Sequence, residues 1–228
     1  MGKGLFVTGT GTDIGKTYVT ALLVKKLRQS GKEAGYYKAA VSGAEKAADG
    51  RLLPGDALYV NEIAGIGETT ENLVSYVYYD AVSPHLAARI AQRPMDFDRV
   101  ERDFQRALSR YEYLTMEGSG GIICPLRWDE GGHVVLDDLI KRLGLGVLVI
   151  ADAGLGTINT AVLTIEHLRQ RSIPIRGVIL NHYHEGNEME TDNRLMIEAL
   201  TGVPVLAVVE DGDTELAMDA EMLAGLYR

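Results

Sequence analysis

The chain has 228 residues, of which 46% are hydrophobic and 24% are charged. This balance is typical of a globular protein, and the length suits one large α/β domain with a full core. The net charge of −9, from 32 acidic and 23 basic residues, argues against a nucleic-acid-binding protein, which usually carries a basic stripe. It does not exclude a nucleotide site, because a small cavity can be locally positive inside an acidic protein.

Cysteine content and hydropathy indicate a cytoplasmic protein. Cys124 is the single cysteine, so no disulfide forms within the chain and a reducing compartment is expected. The first residues lack the pattern of a signal peptide. The most apolar stretch, residues 143–156, is interrupted by charge and is too short to span a membrane. We therefore expect no membrane and no nucleic acid among the partners.

The first half of the chain alternates strand and helix patterns. Residues 4–9 form a continuous apolar run that ends in glycine, as buried parallel strands do. Ser83 is the expected N-cap of a later helix, with Pro84 at its first position. The predicted elements after the first strand are a helix that ends before Gly31, a strand over 33–43, an exposed connection over 44–55, and helices over 56–64, 83–93 and 97–111.

The second half continues the alternation. Its predicted elements are strands over 112–121, 146–154, 175–181 and 203–210, and helices over 135–145, 157–171, 190–202 and the C-terminus. Strands alternating with helices imply right-handed crossovers and a mainly parallel sheet covered by helices on both faces. We therefore predict a single P-loop NTPase-like α/β domain spanning 1–228, with ligands at the carboxyl ends of its strands.

A glycine-rich loop follows the first predicted strand, in the segment "TGTGTDIGKT" (8–17). The standard phosphate loop is G-x-x-x-x-G-K-[ST], between a strand and a helix. Here the position of the first glycine holds Thr10, and the glycine lies one place earlier, at Gly9. Five residues therefore separate Gly9 from Gly15, although the strand–loop–helix context is met.

The physical parts of a phosphate site are nevertheless present in this loop. Backbone N–H groups at a helix N-terminus can face an anion. Lys16 is placed to reach the terminal phosphates, and the Thr17 hydroxyl to bind Mg²⁺. A chance glycine turn is the alternative interpretation, and the surrounding pattern disfavours it. The predicted nucleotide-binding residues of the loop are Gly11, Thr12, Asp13, Ile14, Gly15, Lys16, Thr17 and Tyr18.

Four further segments fall at the ends of predicted strands. They are "YYKAAVSG" with Lys38 and Ser42, "GDAL" with Asp56, "MEGSGG" with Glu117, and "GLGTIN" over 154–159. Together with the glycine-rich loop and "SPH" (83–85), they resemble dethiobiotin synthetase, the ATP-dependent enzyme of biotin biosynthesis. The resemblance covers nearly the whole length in the same order, and the five-residue loop spacing is that family's own form.

The resemblance implies a reaction. The family converts 7,8-diaminopelargonate, CO₂ and ATP into dethiobiotin, ADP and phosphate, with Mg²⁺ as cofactor. One amine adds CO₂ to give a carbamate, which takes the γ-phosphoryl group to form a carbamic–phosphoric anhydride. The second amine then closes the ureido ring. This chemistry depends on charge neutralisation and positioning more than on a side-chain nucleophile.

The resemblance also implies catalytic and substrate-binding residues. Lys16 is expected to hold the β- and γ-phosphates, and Lys38 to bridge the carbamate and the transferring phosphoryl group. Thr12 and Ser42 are expected to contact the diamine or its carbamate, with Thr12 counted as catalytic. Gly118 and the glycines after it are expected to let the backbone approach the substrate amine.

The implied Mg²⁺ ligands are Thr17, Asp56 and Glu117, a set of hard oxygen donors that suits this ion. Taken alone, Asp56 is most simply a helix N-cap and a lysine such as Lys38 a solvated charge. Glu117 favours a functional role even when taken alone, because it follows an apolar run at the edge of the predicted sheet where ligands bind.

Two more parts of the site follow from the resemblance. Asn181 is expected to contact the purine, with backbone contacts to the same base from the segment 204–213 that contains Val209 and Glu210. A homodimer is implied, because the family's "GLGTIN" segment reaches across the interface to the substrate carboxylate. The residues implied there are Gly156, Thr157, Ile158 and Asn159.

Some positions depart from the family or invite other interpretations. Asp13 stands where the family often has glutamate. Asn193 is the nearest counterpart of a family tyrosine that reaches the substrate carboxylate. An ordinary turn with Thr157 as N-cap is the alternative for the "GLGTIN" segment. His182 and His184 look like a metal pair, but no further ligand follows at metal-site spacing, so a surface loop is expected.

Two residues near the predicted site are expected to be structural. His85 lies at a predicted helix start, and Cys124 is expected to pack as a small hydrophobe.

Two other functions are open to a glycine-rich loop of this kind. A partitioning-type ATPase switch shares the loop and the parallel sheet. Such proteins typically carry a second lysine early in the loop, where this chain has Thr10, Gly11 and Thr12. Cobyrinate-type amidation enzymes are of related architecture but require a glutaminase domain, for which 228 residues leave no room.

Overall fold

A computed structural model describes residues 2–228 of the chain. The strands are β1 (Lys3–Gly9), β2 (Ala34–Val41), β3 (Glu45–Lys46), β4 (Leu52–Leu53), β5 (Val74–Val77), β6 (Tyr113–Gly121), β7 (Pro125–Asp129), β8 (Gly132–Val135), β9 (Val147–Asp152), β10 (Ile175–Asn181) and β11 (Val205–Val208). The helices are α1 (Lys16–Gln29), α2 (Gly55–Ile63), α3 (Thr70–Leu73), α4 (Pro84–Ile90), α5 (Phe97–Leu108), α6 (Leu136–Leu143), α7 (Thr157–Gln170), α8 (Glu188–Thr201) and α9 (Ala220–Ala224).

Seven strands form one sheet in the order β11-β10-β9-β1-β6-β2-β5. Every neighbouring pair in it is parallel. β1 lies at the centre, so the loop that follows it opens at the middle of the carboxyl edge. The predicted parallel α/β sheet is confirmed, and ligand sites are expected where these strands end.

Helices cover both faces of the sheet because the side chains of each strand alternate between them. On β1, Leu5 and Val7 pack with apolar residues of α1, α2 and α9. Phe6, between them, packs on the other face with residues of α4 to α8. Strands buried on both faces read as continuous apolar runs, which is why residues 4–9 could be recognised from the sequence.

Local signals explain where several helices begin and end. Helix α8 begins at Glu188, two residues earlier than predicted. Asn187 is its N-cap, and its side chain accepts hydrogen bonds from the N–H groups of Met189 and Glu190. Gly144, in the left-handed region at φ 67°, ends α6. No helix within residues 2–228 combines the length and apolar character that crossing a bilayer requires.

Some predicted boundaries were wrong. The helix predicted over 83–93 ends at Ile90, and Ser83 is its N-cap residue but its hydroxyl contacts His85 Nδ1 at 3.0 Å instead of capping the helix. The connection over 44–55 carries the small antiparallel pair β3–β4. The edge strand β5 and the hairpin β7–β8 were not predicted. They are short and mix polar with apolar residues, so no clear periodicity marks them.

The C-terminus closes one face of the fold. Tyr227 is buried, donates or accepts a hydrogen bond of 2.7 Å with Thr115 Oγ1 and meets the Tyr113 ring edge-on at 5.5 Å. The backbone of Arg228 pairs with Gly4 in β1. Thr115 lies on β6, two residues before Glu117, so this contact supports the strand that carries a predicted site residue.

We expect Tyr227→Ala to lower the free energy of unfolding by about 3–5 kcal/mol, the usual cost of truncating a buried aromatic side chain. Tyr227→Phe keeps the ring and loses only the hydrogen bond, which costs about 1 kcal/mol. Urea denaturation followed by circular dichroism measures both. Equal midpoints for Tyr227→Ala and the unchanged protein would show that this contact does not stabilise the fold.

Candidate active site

The carboxyl edge of the sheet surrounds a cavity of about 640 Å³. The loop after β1, the ends of β2 and β6, the start of α2 and the loop after β10 all contribute to its wall. Ten of the predicted site residues line it: Thr12, Asp13, Gly15, Lys16, Thr17, Tyr18, Lys38, Ser42, Asp56 and Glu117. Residues predicted from four separate segments are therefore brought together in one place.

The side chains of the glycine-rich loop and of Lys16 pack closely against Gly9 at the end of β1. A Cβ atom on Gly9 would lie 2.6 Å from Ile14 Cδ1 and 2.8 Å from Lys16 Cδ. A side chain at residue 9 would therefore displace the side chains of Ile14 and Lys16. Gly15 is the left-handed N-cap of α1 at φ 79°, and it lets the chain turn directly from the loop into the helix.

Lys16 projects from the first position of α1 into the cavity. Its ammonium group donates a 2.7 Å hydrogen bond to the carbonyl of Gly11 within the same loop. Burial lowers the pKa of Lys16 below its ordinary value, and the nearby charge of Lys38 lowers it further. An anion entering the cavity would stabilise the ammonium form and offset both effects, so this lysine is suited to binding a phosphate.

Lys38 is buried between two carboxylates. It lies directly opposite Glu117 on the neighbouring strand, and its ammonium group donates to Glu117 Oε1 at 2.7 Å and to Asp56 at the start of α2. Burial alone would lower the pKa of Lys38, but the charges of Glu117 and Asp56 outweigh it and hold this pKa above the ordinary value. The lysine is therefore a fixed positive charge at the cavity wall.

Glu117 is the centre of a small polar network. Its Oε1 atom also accepts a 2.8 Å hydrogen bond from the Thr17 hydroxyl, and its Oε2 atom accepts one of 3.0 Å from the buried hydroxyl of Tyr36. Burial and the charge of Glu117 raise the pKa of Tyr36 well above its ordinary range, so this phenol stays protonated. Thr17, Asp56 and Glu117 thus present oxygen atoms around one positive charge.

Asn181 ties the end of β10 to the glycine-rich loop. Its side-chain amide donates to the carbonyl of Ile14 at 3.1 Å, while its Oδ1 atom is buried without a donor among residues 2–228. A Cβ on Gly15 would lie 2.1 Å from the same amide nitrogen. Asn181 is therefore packed against the loop and does not line the cavity, so its contact with the purine stays a prediction.

Val209 and Glu210 lie just beyond the end of β11. The N–H group of Val209 donates to Leu180, and that of Glu210 to the Asp213 carboxylate. Neither residue lines the cavity. The carbonyl oxygens of these two residues also accept hydrogen bonds, from the N–H groups of Tyr183 and Asp213, so the backbone contacts to the base stay a prediction.

His182 belongs to the cavity wall, which the sequence interpretation missed. It adopts the left-handed conformation at φ 54°, and its Nδ1 atom lies 2.7 Å from Asp152 Oδ2 at the end of β9. His184 instead pairs with Glu190, whose hydrogen bond raises the pKa of this imidazole. The two histidines point to different partners, so they are not a metal pair. The sequence did offer one sign that His182 lies at the site, because it directly follows Asn181, a predicted site residue at a strand end.

The segment 154–159 lies on the same edge but outside the main cavity. Gly156, left-handed at φ 92°, is the N-cap of α7, so the alternative that placed Thr157 there was wrong. Gly156, Ile158 and Asn159 border a second, apolar cavity of about 460 Å³. Asn193 donates to the carbonyls of Ala153 and Gly154 at 2.8 and 3.1 Å, and it thereby holds the loop that begins this segment.

Gly118 has a packing reason for its lack of a side chain. A Cβ there would lie 2.9 Å from Leu136 and 3.0 Å from the Phe6 ring. It does not line the cavity, whereas Ser119 and Gly120 do. Of the glycines predicted to approach the substrate amine, Gly120 lines the cavity and Gly118 does not, and the approach itself stays a prediction.

The residues expected to be structural have structural surroundings. His85 contacts Ser83 within the helix start. Cys124 is buried, and burial raises the pKa of its thiol to about 11, which keeps it protonated and unreactive. Among residues 2–228, no group of three or more histidine, cysteine or acidic side chains is arranged to hold a metal ion.

Solved structures share the fold. A ParA family ATPase from Chlorobium tepidum superposes with a TM-score of 0.56 and 15% identity, over 93% of this chain and 86% of the other. The MinC:MinD complex of Aquifex aeolicus gives a TM-score of 0.54 and 12% identity, over 98% of this chain and 86% of the other. Fold and loop together define a P-loop nucleotide-binding protein of the α/β class.

Sequence comparisons identify the family. A model of the family described as AAA domain matches residues 3–214. "ATP-dependent dethiobiotin synthetase BioD" of Brachyspira hyodysenteriae is 46% identical over 95% of this chain and 96% of its own length. The protein of the same name from Clostridium botulinum (strain Loch Maree) is 44% identical over 100% of this chain and 99% of its own. The chain belongs to the ATP-dependent dethiobiotin synthetase family.

The contact between Gly15 and Asn181 generates a prediction. We expect Gly15→Ala to weaken ADP binding about tenfold or more, because the new methyl group displaces the Asn181 amide and the loop it holds; a loss of 1.4 kcal/mol corresponds to about tenfold. Isothermal titration calorimetry measures the affinity.

Gly50→Ala is the matched control for this substitution. Gly50 has a similar left-handed conformation at φ 84°, with nothing within 4 Å of the added methyl group. Both variants therefore carry the backbone strain, of about 1–2 kcal/mol, and only Gly15→Ala carries the clash. ADP affinities that fall equally in the two variants would contradict the role given to Gly15.

Proposed function

We propose that this chain is an ATP-dependent dethiobiotin synthetase, which converts 7,8-diaminopelargonate, CO₂ and ATP into dethiobiotin, ADP and phosphate. The observation that carries the proposal is Lys38, a buried ammonium group between Glu117 and Asp56 beside the phosphate-binding loop. Identities of 41–46% to named synthetases over 95–100% of the chain support it. We also propose that residues 1–228 act as one domain, in the cytoplasm.

Lys38 is suited to the charge that develops during the reaction. A carbamate and a transferring phosphoryl group are both anionic, and a pre-positioned cation stabilises such charge without reorganisation. Lys38 lies in the same cavity wall as Lys16, Thr12 and Ser42. We assign Lys16 to the β- and γ-phosphates, Lys38 to the carbamate and γ-phosphoryl group, and Thr12 and Ser42 to the diamine.

The oxygen donors around Lys38 fit a Mg²⁺ ion. The Thr17 hydroxyl and the carboxylates of Asp56 and Glu117 are hard ligands of the kind this ion prefers, and the network already balances a positive charge. When bound, Mg²⁺ would neutralise phosphate charge. The protein's own contribution is to hold Glu117 and Thr17 together before the nucleotide arrives.

A partitioning-type ATPase switch is the second candidate function. The structural similarity to the ParA and MinD proteins is the observation that favours it. The sequence identity to these proteins is only 12–15%, so the similarity is evidence for the fold alone. The early loop lysine typical of that class is replaced by Thr10, Gly11 and Thr12. The full-length identity to synthetases favours the ligase, and a test of product formation separates the two.

We further propose a homodimer in which α7 and α8 form the interface. Leu155, Leu163 and Leu200 are exposed and border the same apolar cavity, and Leu155 is 92% exposed. Contiguous exposed apolar residues mark interaction surfaces in many proteins. The neighbouring segment 156–159 lies outside the chain's own main cavity, so we assign it to the substrate carboxylate in the partner's site.

The proposal predicts a product. Purified protein with MgATP, bicarbonate and 7,8-diaminopelargonate is expected to yield dethiobiotin, identified by mass spectrometry, in equal amount to ADP. Lys38→Met keeps the length of the side chain and removes the charge. We expect its kcat to fall about 100- to 1000-fold, as when one pre-positioned electrostatic donor is lost, while it still binds ADP. ADP release without dethiobiotin would instead support the ATPase switch.

The dimer proposal predicts a change of mass in solution. Leu163→Glu places a charge in the apolar surface of α7, and we expect it to give monomers in sedimentation equilibrium and a raised KM for the diamine, with ADP affinity retained. Ile90→Glu is the control, because Ile90 is similarly exposed on α4. A Leu163→Glu protein that remains dimeric would place the interface elsewhere.

A further inference from the structure

Tyr36 is a buried side chain with a polar contact to the site. It lies on β2 two residues before Lys38, and its side chain is fully buried in the core that includes α1 and α2. Its hydroxyl lies 3.0 Å from Glu117 Oε2. An ionised carboxylate only accepts hydrogen bonds, so Tyr36 is the donor.

The two oxygens of Glu117 therefore have different surroundings. Oε1 meets Lys38 Nζ at 2.7 Å and the Thr17 hydroxyl at 2.8 Å, two groups that line the cavity. Oε2 meets Tyr36, which does not line the cavity. Oε1 therefore contacts groups of the cavity wall, whereas Oε2 is hydrogen-bonded to a residue of the core.

We propose that Tyr36 is a positioning residue for the metal ligand Glu117, holding the carboxylate so that Oε1 alone is presented to the metal ion. This inference rests on the Mg²⁺ site of the proposed function. The hydrogen bond fixes the rotation of the carboxylate and keeps Oε2 occupied. Glu117 then binds the ion through one oxygen.

Removing the phenol hydroxyl has a defined consequence. In Tyr36→Phe, the Oε2 atom is left as a buried acceptor without a donor, which is unfavourable for a charged group. The carboxylate is then free to rotate and to turn either oxygen toward Lys38. Groups that orient a metal ligand usually affect metal affinity by about 10- to 100-fold.

Tyr37 supplies a matched control from the next position in the chain. It is equally buried, but it lies on the opposite face of β2 and bonds to Ser75 Oγ at 2.6 Å and the Val100 carbonyl at 3.1 Å. Tyr37→Phe therefore removes the same atom from the same strand without touching Glu117. A purely structural role of the buried phenol would affect both variants alike.

The test uses Mn²⁺ as a probe in the ADP complex of the full chain. Electron paramagnetic resonance measures free Mn²⁺ and thus its Kd. We expect Tyr36→Phe to raise this Kd about tenfold, the lower end of the usual range for ligand-orienting groups. Tyr37→Phe is expected to leave it unchanged. ADP affinity in EDTA is expected to be the same in both variants, because the metal is then absent.

Glu117→Gln separates this inference from the metal site itself. If Glu117→Gln weakens Mn²⁺ binding and Tyr36→Phe does not, the role of Tyr36 is wrong while the metal site stands. If Tyr36→Phe and Tyr37→Phe weaken it equally, the phenol is structural and the role is again wrong. If Glu117→Gln has no effect, the metal does not bind at Glu117 and both proposals fail together.

The unmodified protein offers a second measurement should Tyr36→Phe fail to fold. Infrared difference spectra on adding Mg²⁺ to the ADP complex, compared with those of Glu117→Gln, isolate the stretching bands of this carboxylate. We expect the wide separation of the symmetric and antisymmetric bands that marks a carboxylate bound through one oxygen. The narrow separation of a bidentate carboxylate would overturn the proposal.

Discussion

A buried ammonium group between two carboxylates is the constraint on which the site depends. Taking a charge out of water costs several kcal/mol unless it is paired, and Lys38 meets this cost with Glu117 and Asp56. The pairing requires β2 and β6 to keep the register that places Lys38 opposite Glu117. It also requires α2 to begin where Asp56 reaches the same point. Strand pairing therefore positions the site, and the loops complete it.

The two lysines of the cavity differ because their partners differ. Lys38 has two fixed carboxylates, which hold its pKa above the ordinary value, whereas Lys16 has the carbonyl of Gly11 and a lowered pKa. An incoming anion is stabilised most by the lysine whose charge is least neutralised by neighbouring carboxylates. This difference supports the proposal that Lys16, at a helix N-terminus whose N–H groups also favour anions, binds the phosphates.

Local signals in the sequence predicted most of the sheet, whereas cavity residues such as Lys38 and Asp56 were predicted from the family resemblance. Long apolar runs marked the central strands, and a carboxylate after an apolar run marked Glu117. The edge strand β5 was missed, since four residues of mixed polarity show no period. The contact of Tyr36 with Glu117 joins residues 81 positions apart, and His182 reaches Asp152 on another strand. Such pairs follow from strand order, which no local pattern encodes.

Asp152 shows how the carboxyl edge joins two parts of the molecule. One of its oxygens accepts from the Gly154 N–H group at 2.7 Å, and the other meets His182 at the cavity wall, also at 2.7 Å. A single carboxylate at the end of β9 therefore positions both the loop that leads to α7 and the histidine beside the glycine-rich loop. Because α7 carries Leu163 of the proposed interface, the main cavity and that surface are both connected to the end of β9.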